Sequence, residues 1–237
     1  LGDVYKRQAH DLAKKCGLDV PEAKLLKFSK VGSTYLVKRF DRDGERRLPF
    51  ASAMTLLGYT DGVDDVSYLE LAEFIKDQQK ARLPEHDLRE LWTRIVFSIA
   101  ISNTDDHLRN HGFIYDGSAW KLSPLYDVNP NIYGGYLSLC IDEVDSTLDF
   151  DLALSVADEF LLSEDNAKEI IKQVTETVAS QWQPLAKQYG LSREQILRMQ
   201  PAFELATEQV EKDRPVQRQQ SLSEKIQELN KAQTCSN

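Results

Sequence analysis

In the run Ile101-Ser-Asn-Thr-Asp-Asp-His-Leu-Arg-Asn110, Asp105 and Asn110 stand five residues apart, and Asp127 follows in Leu-Ser-Pro-Leu-Tyr-Asp. An Asp, an Asn and a second Asp in this order and spacing suit phosphoryl transfer from a nucleotide, as protein kinases arrange it. That reaction asks the protein for positioning and charge neutralisation rather than covalent chemistry. Asp105 is the natural acceptor of the attacking hydroxyl proton. Asn110 offers a neutral oxygen to Mg²⁺, and Asp127 adds a carboxylate, the ligand that Mg²⁺ takes beside phosphate oxygens. Arg109 is suited to neutralise phosphate charge as the γ-phosphoryl group departs.

Other readings of the same residues stay open on spacing alone. Asn103, Asp105 and Asp106 follow a helical pattern and suit turn and capping roles. His107 and His111, four apart among acidic neighbours, suit a metal pair, although that spacing loses its meaning on a loop. Tyr126-Asp127 before Val-Asn-Pro also reads as an ordinary turn.

The elements that must hold these residues can be read from periodicity. Apolar positions 9, 12, 13 and 16 predict an amphipathic helix over 9–16 that stops at Gly17. Residues 23–28 and 34–40 predict a hairpin turning at 30–33. A polar loop over 41–49, a short helical piece over 52–57 and a Gly- and Asp-rich loop over 58–65 come next. Tyr68, Leu69, Leu71, Ala72, Phe74 and Ile75 predict one helix, and Leu88 through Ile99 a second that ends directly before Asn103. The chemical candidates thus fall in a loop at a helix end, where a rigid scaffold can aim polar side chains. Short strands are predicted at 112–115 and 120–123 around the Asp116-Gly117 turn. Helices are predicted over 151–161, over 164–188 with a break at Pro184, and over 192–211. The remainder, 213–237, is a polar Gln-rich tail with a weak helical pattern at Leu222, Ile226 and Leu229.

Composition bounds the possibilities. Hydrophobic residues make up 41% and charged residues 28%, which places the chain among globular rather than disordered proteins. A net charge of −9 disfavours direct nucleic-acid binding, although Arg39, Arg42, Arg46 and Arg47 form a local basic cluster. Cysteines at 16, 140 and 235 match no disulfide framework and no paired zinc spacing. No apolar run is long enough to span a bilayer. A cytoplasmic protein with no membrane partner is therefore expected. The chain starts with Leu rather than Met, and residues 1–8 read as a polar stretch unrelated to the rest of the sequence, as a scar would.

At its polar loop the chain resembles the HipA family, serine/threonine kinases that act as toxins in bacterial toxin–antitoxin modules. The resemblance is carried by Gly17-Leu-Asp-Val-Pro-Glu-Ala, Val37-Lys-Arg-Phe-Asp-Arg42, Arg47-Leu-Pro-Phe-Ala-Ser-Ala-Met-Thr-Leu-Leu-Gly58, Ser67-Tyr-Leu-Glu-Leu-Ala72, Asn103-Thr-Asp-Asp-His-Leu-Arg-Asn-His111 and Leu122-Ser-Pro-Leu-Tyr-Asp-Val-Asn-Pro130. These segments lie in order between about residues 9 and 205. The resemblance implies an α+β, mostly helical fold: a protein-kinase-like large lobe over 41–212, with a helix and hairpin over 9–40 as the remnant of a small lobe and hinge. It implies ATP and Mg²⁺ as cofactors, Asp105 as catalytic base, beside the Arg109 already marked by its chemistry, and Asn110 and Asp127 as magnesium ligands. Val37, Lys38, Phe40 and His107 fall on the nucleotide side. Lys38 stands where the family often has Glu, which leaves only a backbone contact to adenine at that position.

The resemblance further implies a protein serine as substrate, with a glutamyl-tRNA synthetase as the known kind of target, and a helix-turn-helix antitoxin as partner. No Gly-rich phosphate loop and no Val-Ala-x-Lys-like strand precede the first helix, so weak nucleotide binding is expected of the chain as it stands. Two readings of other classes compete. One is a non-catalytic lobe that docks an antitoxin or a separate small lobe, and the other is a metal-dependent hydrolase or nuclease built on His107 and His111.

Overall fold

The computed structural model describes residues 2–28, 32–63, 66–79 and 84–214. The first helix, α1 (Gly2–Lys15), buries Gln8, Ala9, Leu12 and Ala13 on one stripe and ends at Gly17, whose φ of 85° is the left-handed conformation of a helix stop. It begins two turns earlier than its apolar spacing predicts. Val4 and Tyr5 pack against the core and extend the same stripe, so residues 2–8 are continuous with the helix rather than apart from it.

The expected hairpin is present as β1 (Ala23–Leu26) and β2 (Thr34–Val37), antiparallel with Ala23 opposite Val37. Residues 30–31 of its predicted turn lie outside the described residues, as do 64–65 of the Gly- and Asp-rich loop. The stretch read as a polar loop contains a two-residue ladder, β3 (Arg42–Asp43) and β4 (Arg46–Arg47), closed by Gly44 at φ 60°. It then enters β5 (Phe50–Ser52). That strand pairs with β6 (Gly112–Tyr115), which pairs with β7 (Trp120–Leu122), giving an antiparallel sheet in the order β5-β6-β7. Ser52 caps α2 (Ala53–Leu56).

The core is built around α4 (Glu85–Ala100). Most of its residues are buried, the apolar Leu88, Leu91, Trp92, Ile95, Val96, Phe97 and Ile99 together with the polar Asp87, Thr93, Arg94 and Ser98, so it is enclosed on nearly all sides. Packed on it are α3 (Tyr68–Gln78), started by a Ser67–Glu70 capping box, α5 (Phe150–Ser155) and the long α6 (Glu164–Gln188). The break expected at Pro184 does not occur: the ring removes the donor to the carbonyl of Ser180 without ending the helix. The single helix expected over 192–211 is instead α7 (Arg193–Met199), a 3₁₀ turn at Gln200–Phe203 and α8 (Glu204–Asp213). Pro201 at the start of that turn supplies the interruption. The stretch 151–161 likewise divides, into α5 and a 3₁₀ turn that Leu161 closes at φ 57°. The helical pattern at Leu222, Ile226 and Leu229 falls in 215–237, outside the described residues. No helix among the described residues is long and apolar enough to cross a membrane.

Trp92 is fully buried, and its indole N–H donates to the carbonyl of Ala153 at 3.0 Å, joining α4 to α5. Trp92→Ala is expected to lower the unfolding free energy by about 3–5 kcal/mol. Trp92→Phe, which keeps most of the packing, is expected to cost about 1–2 kcal/mol. Urea denaturation followed by circular dichroism measures both.

Candidate active site

The loop between α4 and β6 carries the chemical candidates. At the end of α4 the chain turns through Ser102 at φ 51°, and the Asn103 N–H bonds back to the carbonyl of Ser98 at 2.8 Å. The adjacent aspartates then part. Asp105 points outward with three quarters of its side chain exposed, whereas Asp106 is almost wholly buried. The Asn110 side-chain N–H₂ donates to the backbone carbonyl of Asp105 at 2.8 Å, closing the five-residue interval into a ring. That bond fixes the amide so that Oδ1 is left for another partner.

Asp106 is held from three sides. Tyr68 Oη and Ser98 Oγ donate to its Oδ2 at 2.7 and 3.1 Å, and His111 Nε2 lies 3.1 Å from Oδ1, an electrostatic approach rather than a well-aligned hydrogen bond. Burial alone would raise the Asp106 pKa. The His111 ring and the two hydroxyl donors outweigh it and hold the carboxyl below the usual carboxylate range. The same burial, with Asp106 alongside, pushes the Tyr68 phenol well up.

Asp127 sits on a segment stitched along this loop. The Ser123 N–H bonds to the carbonyl of Gly112 at 2.8 Å, Tyr126 Oη to the carbonyl of Arg109 at 2.7 Å, and the Asn129 N–H to Asn103 Oδ1 at 3.2 Å. Between the last two, Asp127 takes φ 54°, a left-handed conformation that a side-chain-bearing residue adopts at some cost. Its carboxylate is about half exposed and accepts from Lys6 Nζ at 2.6 Å, so the position already attracts a cation. It also borders a cavity of about 290 Å³ whose walls include Val20, Tyr35, Val37, Leu125, Tyr126 and Val128. That volume is at the lower end of the roughly 300–1,000 Å³ typical of small-molecule sites.

The predicted residues are only partly brought together. Val37 and Asp127 line the cavity, with Asn110 and Asp105 on the loop tied to the Asp127 segment. Phe40 is not among the lining residues; it packs against Tyr126 and Phe50 with ring centroids 5.7 and 5.6 Å apart. Lys38 points into solvent, 3.4 Å from Glu22, and its N–H is taken by the Glu22 carbonyl. His107 lies 3.6 Å from Asp105, away from the cavity lining. Arg109 forms an exposed ion pair with Asp61.

His107 and His111 are engaged by different carboxylates, and no group of three or more His, Cys, Asp or Glu among the described residues is placed to hold a metal. A histidine-based metal centre therefore has no support. One amide oxygen and one carboxylate, Asn110 and Asp127, do suit Mg²⁺, which draws its remaining ligands from phosphate and water. In the buried set around Asp106, spacing marks Asn103 only as a turn residue and His111 only as half of a metal pair, and it gives Tyr68, Ser98 and the cavity residues Tyr35 and Tyr126 no part in a site. No sequence period marks them, because they meet only through tertiary packing.

The depressed Asp106 pKa links stability to pH with a definite sign. Its contribution is present above the unfolded value near 3.8 and is lost as pH falls through the lower folded value. The thermal midpoint is expected to decline as pH drops below about 4. Asp106→Asn should start from a lower midpoint and decline less steeply, as calorimetry from pH 6 to 3 would show.

A family model described as HipA-like C-terminal domain matches residues 8–182. A Haemophilus influenzae protein named "Putative kinase" is 32% identical over 131 residues, covering 49% of this chain and 37% of that protein. "Putative kinase Y4dM" of Sinorhizobium fredii is 30% identical over 131 residues, covering 49% and 31%. The chain thus spans about a third of the length of these curated relatives. Among solved structures, the HipA of Shewanella oneidensis MR-1, in a toxin–antitoxin complex with HipB and operator DNA, superposes with a TM-score of 0.72 at 16% identity. The match covers 89% of this chain and 55% of that one. At that identity the likeness speaks to fold, and the fold is the α+β, mostly helical, kinase-like one expected. With three quarters of its length matched in a loop, cavity and sheet arranged as described, the chain belongs to the HipA-like C-terminal domain family.

Proposed function

We propose that this chain is the large lobe of a serine/threonine kinase of a bacterial toxin–antitoxin module, transferring phosphate from Mg-ATP to a serine of a protein substrate. The observation that carries the reading is the ring from Asp105 to Asn110, which leaves a carboxylate in solvent and an amide oxygen free beside the segment bearing Asp127. Asp105 accepts the proton of the acceptor hydroxyl. Asn110 Oδ1 and the Asp127 carboxylate would hold Mg²⁺, which when bound neutralises charge on the transferring phosphate. The apolar cavity bordered by Val37, Leu125 and Val128 suits a flat nucleotide base, with Asp127 at its edge. Arg109 reaches phosphate only by leaving Asp61, an exposed pairing worth about 0–1 kcal/mol and therefore easily exchanged. The partner by this reading is a helix-turn-helix antitoxin, in keeping with the HipA–HipB complex of the solved relative.

In the whole gene product that carries this chain, Asp105→Asn is expected to lower phosphotransfer from labelled ATP by about 10²- to 10⁴-fold. Asn110→Ala and Asp127→Asn should each raise the Mg²⁺ concentration needed for half-maximal rate. Equal rates for Asp105→Asn and wild type would remove the proposed base.

A further inference from the structure

Two buried polar residues that touch neither the cavity nor Asp105 connect the two halves of the site. Ser98, on the last turn of α4, donates from Oγ to Asp106 Oδ2 at 3.1 Å and accepts from Asn103 Nδ2 at 3.2 Å. Asn103 Oδ1 in turn accepts the Asn129 N–H at 3.2 Å. Ser98 is 3% exposed and Asn103 1%, so water does not compete for these bonds. The chain of bonds runs from the neighbour of Asp105, through the core, to a residue two beyond Asp127.

We infer that Ser98 and Asn103 are positioning residues that set the distance between the Asp105–Asn110 ring and Asp127, and so the geometry of the divalent-cation site. The inference rests on the kinase reading of that site and deepens it. Three features argue for positioning rather than simple filling of space. Each donor in the chain meets an acceptor, whereas a core position needed only for packing would be filled by an apolar side chain at no cost in desolvation. Asp127 keeps its left-handed backbone only while the chain on both sides is tethered. One tether is Tyr126 to Arg109, and the other is Asn129 to Asn103. A second strand of bonds, from the Asn131 N–H to the Ser102 carbonyl at 3.1 Å and from Asn131 Nδ2 to Thr104 Oγ1 at 2.6 Å, holds the same two segments in parallel. Loss of one link therefore shifts the site without releasing the loop.

The test is Mn²⁺ binding to the 237-residue chain, read by electron paramagnetic resonance of the free ion, with folding checked by circular dichroism. Ser98→Ala removes a single oxygen and Asn103→Ala removes the amide; acting one bond further out than a direct partner of a metal ligand, each is expected to weaken Mn²⁺ binding by about 10-fold, the lower end of what losing such a partner costs. Val178→Ala, a cavity in α6 far along the chain from the site, serves as the control for lost stability and should bind as wild type does. Wild-type affinity in Ser98→Ala and Asn103→Ala overturns the inference, and so does an equal loss in Val178→Ala. Asp127→Asn separates the two levels: if it binds Mn²⁺ as tightly as wild type, the metal-site reading itself is what fails.

Discussion

Asp106 places a carboxylate out of reach of water, and the surroundings must answer that charge or the loop cannot keep its shape. Removing one partner from a buried charge costs about 3–5 kcal/mol, a large share of the roughly 5–15 kcal/mol by which a domain is stable at all. Three elements supply the answer: the start of α3 through Tyr68, the end of α4 through Ser98, and the entry to β6 through His111. Each is thereby fixed relative to the others at one point. The exposed pairs nearby, such as Arg109 with Asp61, are far weaker and cannot do this.

From that point the arrangement of the site is largely determined. Asp106 turns inward while the adjacent Asp105 faces outward, which spares the loop the cost of burying a second charge. The Asn110 amide closes back on the Asp105 carbonyl, and β6 leaves directly into a sheet whose strand β5 arrives from a distant part of the sequence. The segment carrying Asp127 returns along the same loop and is bonded to it at Arg109, Asn103 and Ser102. An exposed carboxylate, an amide and a second carboxylate are thus gathered by one loop and the segment that returns along it.

Much of this could be read from the residues, for reasons that differ by element. The helices α3 and α4 and the strands β6 and β7 carry local periodicity, and periodicity survives without tertiary knowledge. The Asp105–Asn110–Asp127 spacing is likewise a property of the chain itself. Strand β5 is short and gains its identity only by pairing with β6, far along the chain, so the sequence leaves Phe50 and Ala51 unassigned and counts Ser52 with the helical piece. Prolines act in opposite ways here: α6 runs through Pro184, whereas the helix expected over 192–211 is interrupted at Pro201, because neighbours decide whether a lost donor ends a helix. No pattern tells which of two adjacent aspartates turns inward. Tyr68, on a different helix, decides that.

The loop contains the same five-residue interval twice, in staggered frames. The buried Asn110 closes back on Asp105, whose carboxylate faces solvent, and Asp106 with His111 lies in the core. Adding or deleting one residue between them would misalign both pairs together.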